Sequence, residues 1–131
     1  MTGFLTLLAA LVAAGASLYT ALTARTDQTN QHRRENAAEL HLAMLDLTSS
    51  LSRSQMGEKD ARADLADADT RIMNHNPAIP DENVRNLVED FRRSVSAEAL
   101  VGNLLPETAP DRKKVQREAL LALEAYRRTL G

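Results

Sequence analysis

From Met1 to Ala24 the chain carries no charged side chain, and this constrains what it can fold into more than any other feature. The stretch from Gly3 to Ala24 reads GFLTLLAALVAAGASLYTALTA. As a helix it would reach roughly 33 Å, against a bilayer hydrocarbon core of about 30 Å. Its large apolar residues, Phe4, Leu5, Leu8, Leu11, Val12, Leu18 and Leu22, do not share one face. That all-round pattern suits immersion in lipid rather than packing on one side. Phe4 and Tyr19 lie toward opposite ends, where aromatic rings favour the membrane interface. Thr6, Ser17, Thr20 and Thr23 temper the apolarity of the stretch. The expectation is a single transmembrane anchor over residues 1–24.

Two other readings remain open. Ala14-Gly15-Ala16 resembles a signal-peptidase site, which would give a secreted helical protein. Against it, no basic segment precedes the apolar run, and the run continues past Ala16. The stretch would otherwise be a buried core helix. For the anchor, charge asymmetry sets the orientation. Only the terminal amine precedes it, whereas Arg25, Arg33 and Arg34 follow. Basic residues stay on the cytoplasmic side, so the N-terminus is expected outside and the remaining domain in the cytoplasm. Ala9, Ala13, Ser17 and Ala21 recur every four residues and form a candidate helix-packing face within lipid.

About 105 residues remain, enough for one further domain. Aromatic residues are 3% of the chain and Trp is absent, so aliphatic side chains must fill the core. With β-branched residues sparse, the fold class expected is all-α: a transmembrane helix followed by a small antiparallel bundle of three or four helices. The organisation expected is an anchor over 1–24, a polar juxtamembrane stalk over 25–36 and a bundle over 37–131. There is no Cys, which excludes disulfides and thiolate chemistry. The net charge of −2 gives no bulk attraction for polyanions.

Helix boundaries are marked by glycines and prolines. A first soluble helix is expected from Asn30 to Gln55, with Ala37, Leu40, Met44, Leu47 and Leu51 buried and Leu42 and Leu45 widening the stripe. The segment from Glu58 to Asn74 places Ala61, Leu65, Ala68 and Ile72 on one face, in the same heptad phase. It either continues the first helix as one long coiled-coil-like rod or turns back at residues 53–59, with Gly57 as the left-handed residue. Pro77 and Pro80 end it. Asp81 and Glu82 open a third helix that buries Val84, Leu87, Val88, Phe91 and Val95. Leu104 and Leu105 are expected to plug the bundle end. Thr108, as N-cap, opens a last helix that buries Val115, Ala119, Ala122, Leu123, Tyr126 and Leu130.

No phosphate-binding loop, nucleophile elbow, metalloprotease or EF-hand pattern occurs. No catalytic residue, cofactor or metal ligand is therefore expected. His32, Glu35 and Glu39 share a face at metal-compatible spacing, but on a polar stalk a solvated surface is the better reading. The same holds for Asp60, Asp64 and Asp67. His41 and His75 are candidate titrating groups only if something nearby reads their charge. Thr48, Ser49, Ser50, Ser52 and Ser54 have no evident base, so turn chemistry explains them better than nucleophilic catalysis.

The oddest cluster is Arg112, Lys113, Lys114 and Arg117, cations at the start of the last helix, where its dipole disfavours them. They either pair with the acidic middle segments, each net −2, or contact anionic lipid or an acidic partner. Nucleic acid is not expected, because aromatic interleaving and overall basicity are missing. The function expected is that of a non-enzymatic single-pass membrane protein. Its cytoplasmic bundle would bind a protein partner or self-associate. The alternative is a membrane-bound sensor or regulator that signals through a continuous anchor–stalk helix.

Overall fold

A computed structural model describes the backbone of residues 2–101 and 111–130, and side chains within 28–101 and 111–130. The described residues are helical without a strand: α1 (Thr2–Gln55), α2 (Ala61–His75), a short 3-10 turn (Asn76–Ala78), α3 (Glu82–Val101) and α4 (Arg112–Thr129). The chain divides into two compact units, Met1–His32 and Arg33–Gly131. Residues 2–32 of the first belong to α1. The second is a four-helix bundle.

The choice between rod and hairpin is settled by Gly57, whose φ is +81°. The Glu58 amide donates to the Arg53 carbonyl at 3.0 Å and the Gly57 amide to the Ser54 carbonyl at 3.1 Å. That pair of bonds is the Schellman ending of a helix, and it needs a residue that tolerates the left-handed conformation. The chain then reverses. Asp46 pairs with Arg71 and Arg53 with Asp64 across α1 and α2, so the two helices run antiparallel.

α2 continues through His75 and tightens into the 3-10 turn carrying Pro77. Asn76 is buried; its side chain donates to the Arg85 carbonyl at 3.0 Å. Arg85 returns bonds to the carbonyls of Ile79 and Pro80 at 2.6 and 3.0 Å. These bonds satisfy the backbone of a sharp corner and let Ile79 plug the core. Asp81 caps α3 by accepting from the Val84 amide at 3.2 Å. α3 returns beside α2, tied by Arg92 to Asp69, and α4 returns beside α3, tied by Arg112 to Glu98. The result is an up-down-up-down bundle.

One core runs through it. Leu40, Met44, Leu47 and Leu51 of α1 meet Ala68 and Ile72 of α2, Val84, Val88, Phe91 and Val95 of α3, and Ala119 and Leu123 of α4. Leu65, Leu87, Val115, Ala122 and Tyr126 border it, partly buried.

Three expectations need correction. Leu42 and Leu45 remain 51% and 42% exposed, and small Ala43 with Ser50 completes the buried face instead. At about 100° per residue Leu42 and Leu45 point to the opposite side of α1 from Leu40, Met44, Leu47 and Leu51, so they cannot share the buried face. The second helix begins at Ala61 rather than at Glu58, because the Schellman ending and the turn after it occupy residues 56–60. The cap of α4 is Asp111, whose carboxylate accepts from the Lys113 amide at 3.1 Å. Thr108, Leu104 and Leu105 lie outside the described residues.

Truncating the core should therefore be far more damaging than trimming the outer leucines. Phe91→Ala should cost about 3–5 kcal/mol and Leu47→Ala about 2–5 kcal/mol, whereas Leu42→Ala should change stability by no more than about 0.5 kcal/mol. Gly57→Ala meets open space but forces an unfavourable backbone, at about 1–2 kcal/mol. Urea unfolding of the four variants checks the order.

Candidate functional site

Inside the bundle, polar groups mostly satisfy one another. Between α1 and α2, Arg71 reaches Asp46 at 2.7 Å and Asp67 at 3.2 Å. The second contact leaves Arg71 Nε poorly aligned for a hydrogen bond, so it acts as an ion pair only. Arg53 reaches Asp64 at 3.0 Å and donates to the buried Ser50 hydroxyl at 3.3 Å. Asp64 and Asp67, two of the three acids read from the sequence as a solvated face, thus flank a seam that their own chain neutralises. Asp60 is exposed in the turn.

A second hub joins α2 to α3. Arg92 contacts Asp69 at 3.2 Å and Glu89 at 2.5 Å, and Arg93 approaches Glu89 at 3.2 Å. The hydrogen bond from Arg92 holds the Glu89 carboxyl below its usual range, against the opposing effect of partial burial. Sequence reasoning missed this hub, although Glu89 and Arg92 stand three residues apart on one helix.

The histidines do not form a site. His75 Nδ1 lies 2.8 Å from Asn36 Oδ1, and Asn36 Nδ2 donates to the His75 carbonyl at 3.0 Å. The amide oxygen can only accept, so this ring nitrogen carries the proton, and the pair ties the start of the bundle to the end of α2. His32 is exposed. His41 Nδ1 is buried without a hydrogen-bond partner among the described residues. Burial pushes the Tyr126 phenol up, an effect that nearby Arg33 opposes. Among the described residues, no three His, Asp or Glu side chains are placed to hold a metal ion. The Thr48 hydroxyl bonds back to the Met44 carbonyl at 3.2 Å, and no base is bonded to Ser49, Ser50, Ser52 or Ser54 among the described residues.

Open grooves also lie among the described residues. One, of about 420 Å³, lies between α2 and α3 near the Gly57 end, lined by Leu47, Leu65, Val95 and Leu100 with Arg62 and Asp69 on its rim. Another, of about 370 Å³, lies between α1 and α4 and is lined by Arg34, Glu124, Arg127 and Arg128. Arg34 donates to the Leu130 carbonyl at 2.9 Å there, so residues from the expected stalk are bound into the bundle.

The cationic cluster divides. Arg112 is partly buried, paired with Glu98 and bonded to Gln116 at 3.2 Å; Gln55 also donates to Glu98, at 3.3 Å. Lys113, Lys114 and Arg117 are exposed and form no ion pair among the described residues. Leu121, on the same helix, is 60% exposed. The side chains of Ala9, Ala13, Ser17 and Ala21 lie outside the described residues. Among those that are described, no helix is long and apolar enough to cross a membrane. No protein-family model, curated protein or solved structure matches this chain.

The Arg92 hub gives a pH signature. A carboxylate held below its unfolded value stabilises the fold fully above about pH 5 and loses that effect as pH falls through its folded value. Arg92→Met should therefore lower stability at pH 7 and converge on the parent protein toward pH 3. Denaturation at the two pH values checks this, and an unchanged gap would contradict it.

Proposed function

We propose that this chain is a non-enzymatic, membrane-tethered interaction protein. Residues 1–24 cross the membrane with the N-terminus outside, and the bundle sits in the cytoplasm, where its outer faces bind a protein partner. Support for the tether comes from the uncharged run of Gly3 to Ala24 and from Arg25, Arg33 and Arg34 directly after it. One contrast carries the interaction reading. Arginines at the helix seams are spent on internal pairs, as Arg53, Arg71, Arg92 and Arg112 are. Lys113, Lys114, Arg117 and Leu121 instead face solvent. A bundle that occupies its inner polar groups with one another has its recognition chemistry on the outside, which suits binding better than catalysis.

A second reading, as a sensor or regulator, is favoured by α1 running as one helix from Thr2 to Gln55. It predicts that inserting glycines near Thr26 to Asn30 abolishes the cellular response while partner binding persists. A plain tether would tolerate the insertion.

Under the main reading, the full-length chain should leave membranes only with detergent, and a reporter fused after Gly131 should be active only in the cytosol. A freely dissolved chain, trimming after Ala16 seen by mass spectrometry, or reporter activity on the outer side would each overturn it.

A further inference from the structure

The outward face of α4 has a definite pattern. Lys114, Arg117, Leu121, Ala125 and Arg128 recur at spacings of three, four, four and three residues, which aligns them along one side of the helix. All five are exposed. The opposite side of α4 packs on the core through Val115, Ala119, Ala122 and Leu123. The outward stripe runs roughly 21 Å, with two cations at one end, an apolar pair in its centre and an arginine at the other end. Lys113, Glu118 and Glu124 flank it. Arg128 contacts Glu124 at 2.8 Å, but both side chains are largely in water and the pair is readily exchanged.

Cations in the first turns of a helix oppose its dipole. Arg112 offsets this by pairing with Glu98. For Lys113, Lys114 and Arg117 the described residues provide no counterpart. A local rule broken without internal compensation marks a surface kept for something outside the fold.

We propose that this face docks an acidic amphipathic helix of a protein partner, with carboxylates at both ends and an apolar side chain opposite Leu121. The spacing is that of a two-helix seam, and the charge is complementary to acid. Anionic lipid fits less well. A planar anionic surface laid on this face would also meet the exposed carboxylates of Glu118 and Glu124 on either side of the stripe. A helix seated along the stripe between them need not. The proposal rests on the reading of the bundle as a tethered interaction module and names the chemistry of its partner.

The test uses the full-length chain in phosphatidylcholine nanodiscs. The probe is a fluorescein-labelled synthetic helix with glutamates at both ends and leucine in the middle, followed by fluorescence anisotropy. Saturable binding is expected, weakened about tenfold by Lys114→Glu with Arg117→Glu and about fivefold by Leu121→Gln, and reduced by added salt. Arg62→Glu on α2 should leave it unchanged. Because both positions are exposed and Lys114 stands in the first turn of α4, where an anion is favoured, the double variant should unfold at about the same urea concentration as the parent, which separates lost binding from lost folding. Equal binding by the double variant, or no saturable binding, overturns the proposal. So does association of this face with phosphatidylserine nanodiscs in place of the peptide, or a dimer of the chain that the double variant dissociates. A chain that stays dissolved without lipid or detergent counts against the membrane tether alone, since peptide binding is then read in buffer.

Discussion

Everything in the bundle follows from the need to cover one stripe of α1. Ala37, Leu40, Ala43, Met44, Leu47 and Leu51 lie on one side of that helix and are fully buried. Left in water, a stripe of this size would forfeit on the order of 1.5–3 kcal/mol for each large side chain. No single partner helix can cover it, because α2 brings mainly Ala61, Ala68 and Ile72. Two more helices are needed, and α3 supplies the bulk through Phe91, Val88 and Val95. With only two phenylalanines in the chain, placing Phe91 at the centre lets an aliphatic core close around a single ring.

Apolar packing alone leaves the register between neighbouring helices loose, and the arginines fix it. Arg53 and Arg71 set α2 against α1, Arg92 sets α3 against α2, and Arg112 sets α4 against α3. Each sits at a helix seam, where the alkyl stem can lie on apolar neighbours while the guanidinium reaches a carboxylate. The Arg53 and Arg71 pairs, whose carboxylates are largely in water, contribute little to stability. What all four share is that they choose one sliding position among several, much as polar groups choose register in coiled coils.

Local chemistry was legible in the sequence, and pairing across distance was not. Gly57, Asp81 and Pro77 announce themselves because a turn, a cap and a helix end each need a particular residue within a few positions. The stripes on α2 and α3 follow from periodicity, since each helix has one clearly apolar side. On α1, apolarity alone misleads: Leu42 and Leu45 are as apolar as Leu47, but the helical period puts them on the side away from the buried stripe. Ile79 was hidden in a Pro-flanked loop that reads as surface, and its burial depends on the Asn76 and Arg85 bonds at the corner. The partners Asp46 with Arg71 and Asp69 with Arg92 stand 25 and 23 residues apart, beyond the reach of any local rule. For the outer surface, the cluster on α4 could be found from sequence, but its division could not. Arg112 turns inward to Glu98 while its neighbours stay out, and Leu121 becomes notable only once its exposure is known.

The central claim is that α1 from Ala37 to Leu51 is an integral wall of one cooperative bundle rather than an independent stalk on which three helices rest. Native-state hydrogen exchange on the full-length chain tests it most directly. The account predicts that amides of Leu40 to Leu51 open with the same free energy as those of Val88 to Val95 and Ala119 to Leu123, in one global event. Rapid exchange along α1 while α3 and α4 remain protected would contradict it.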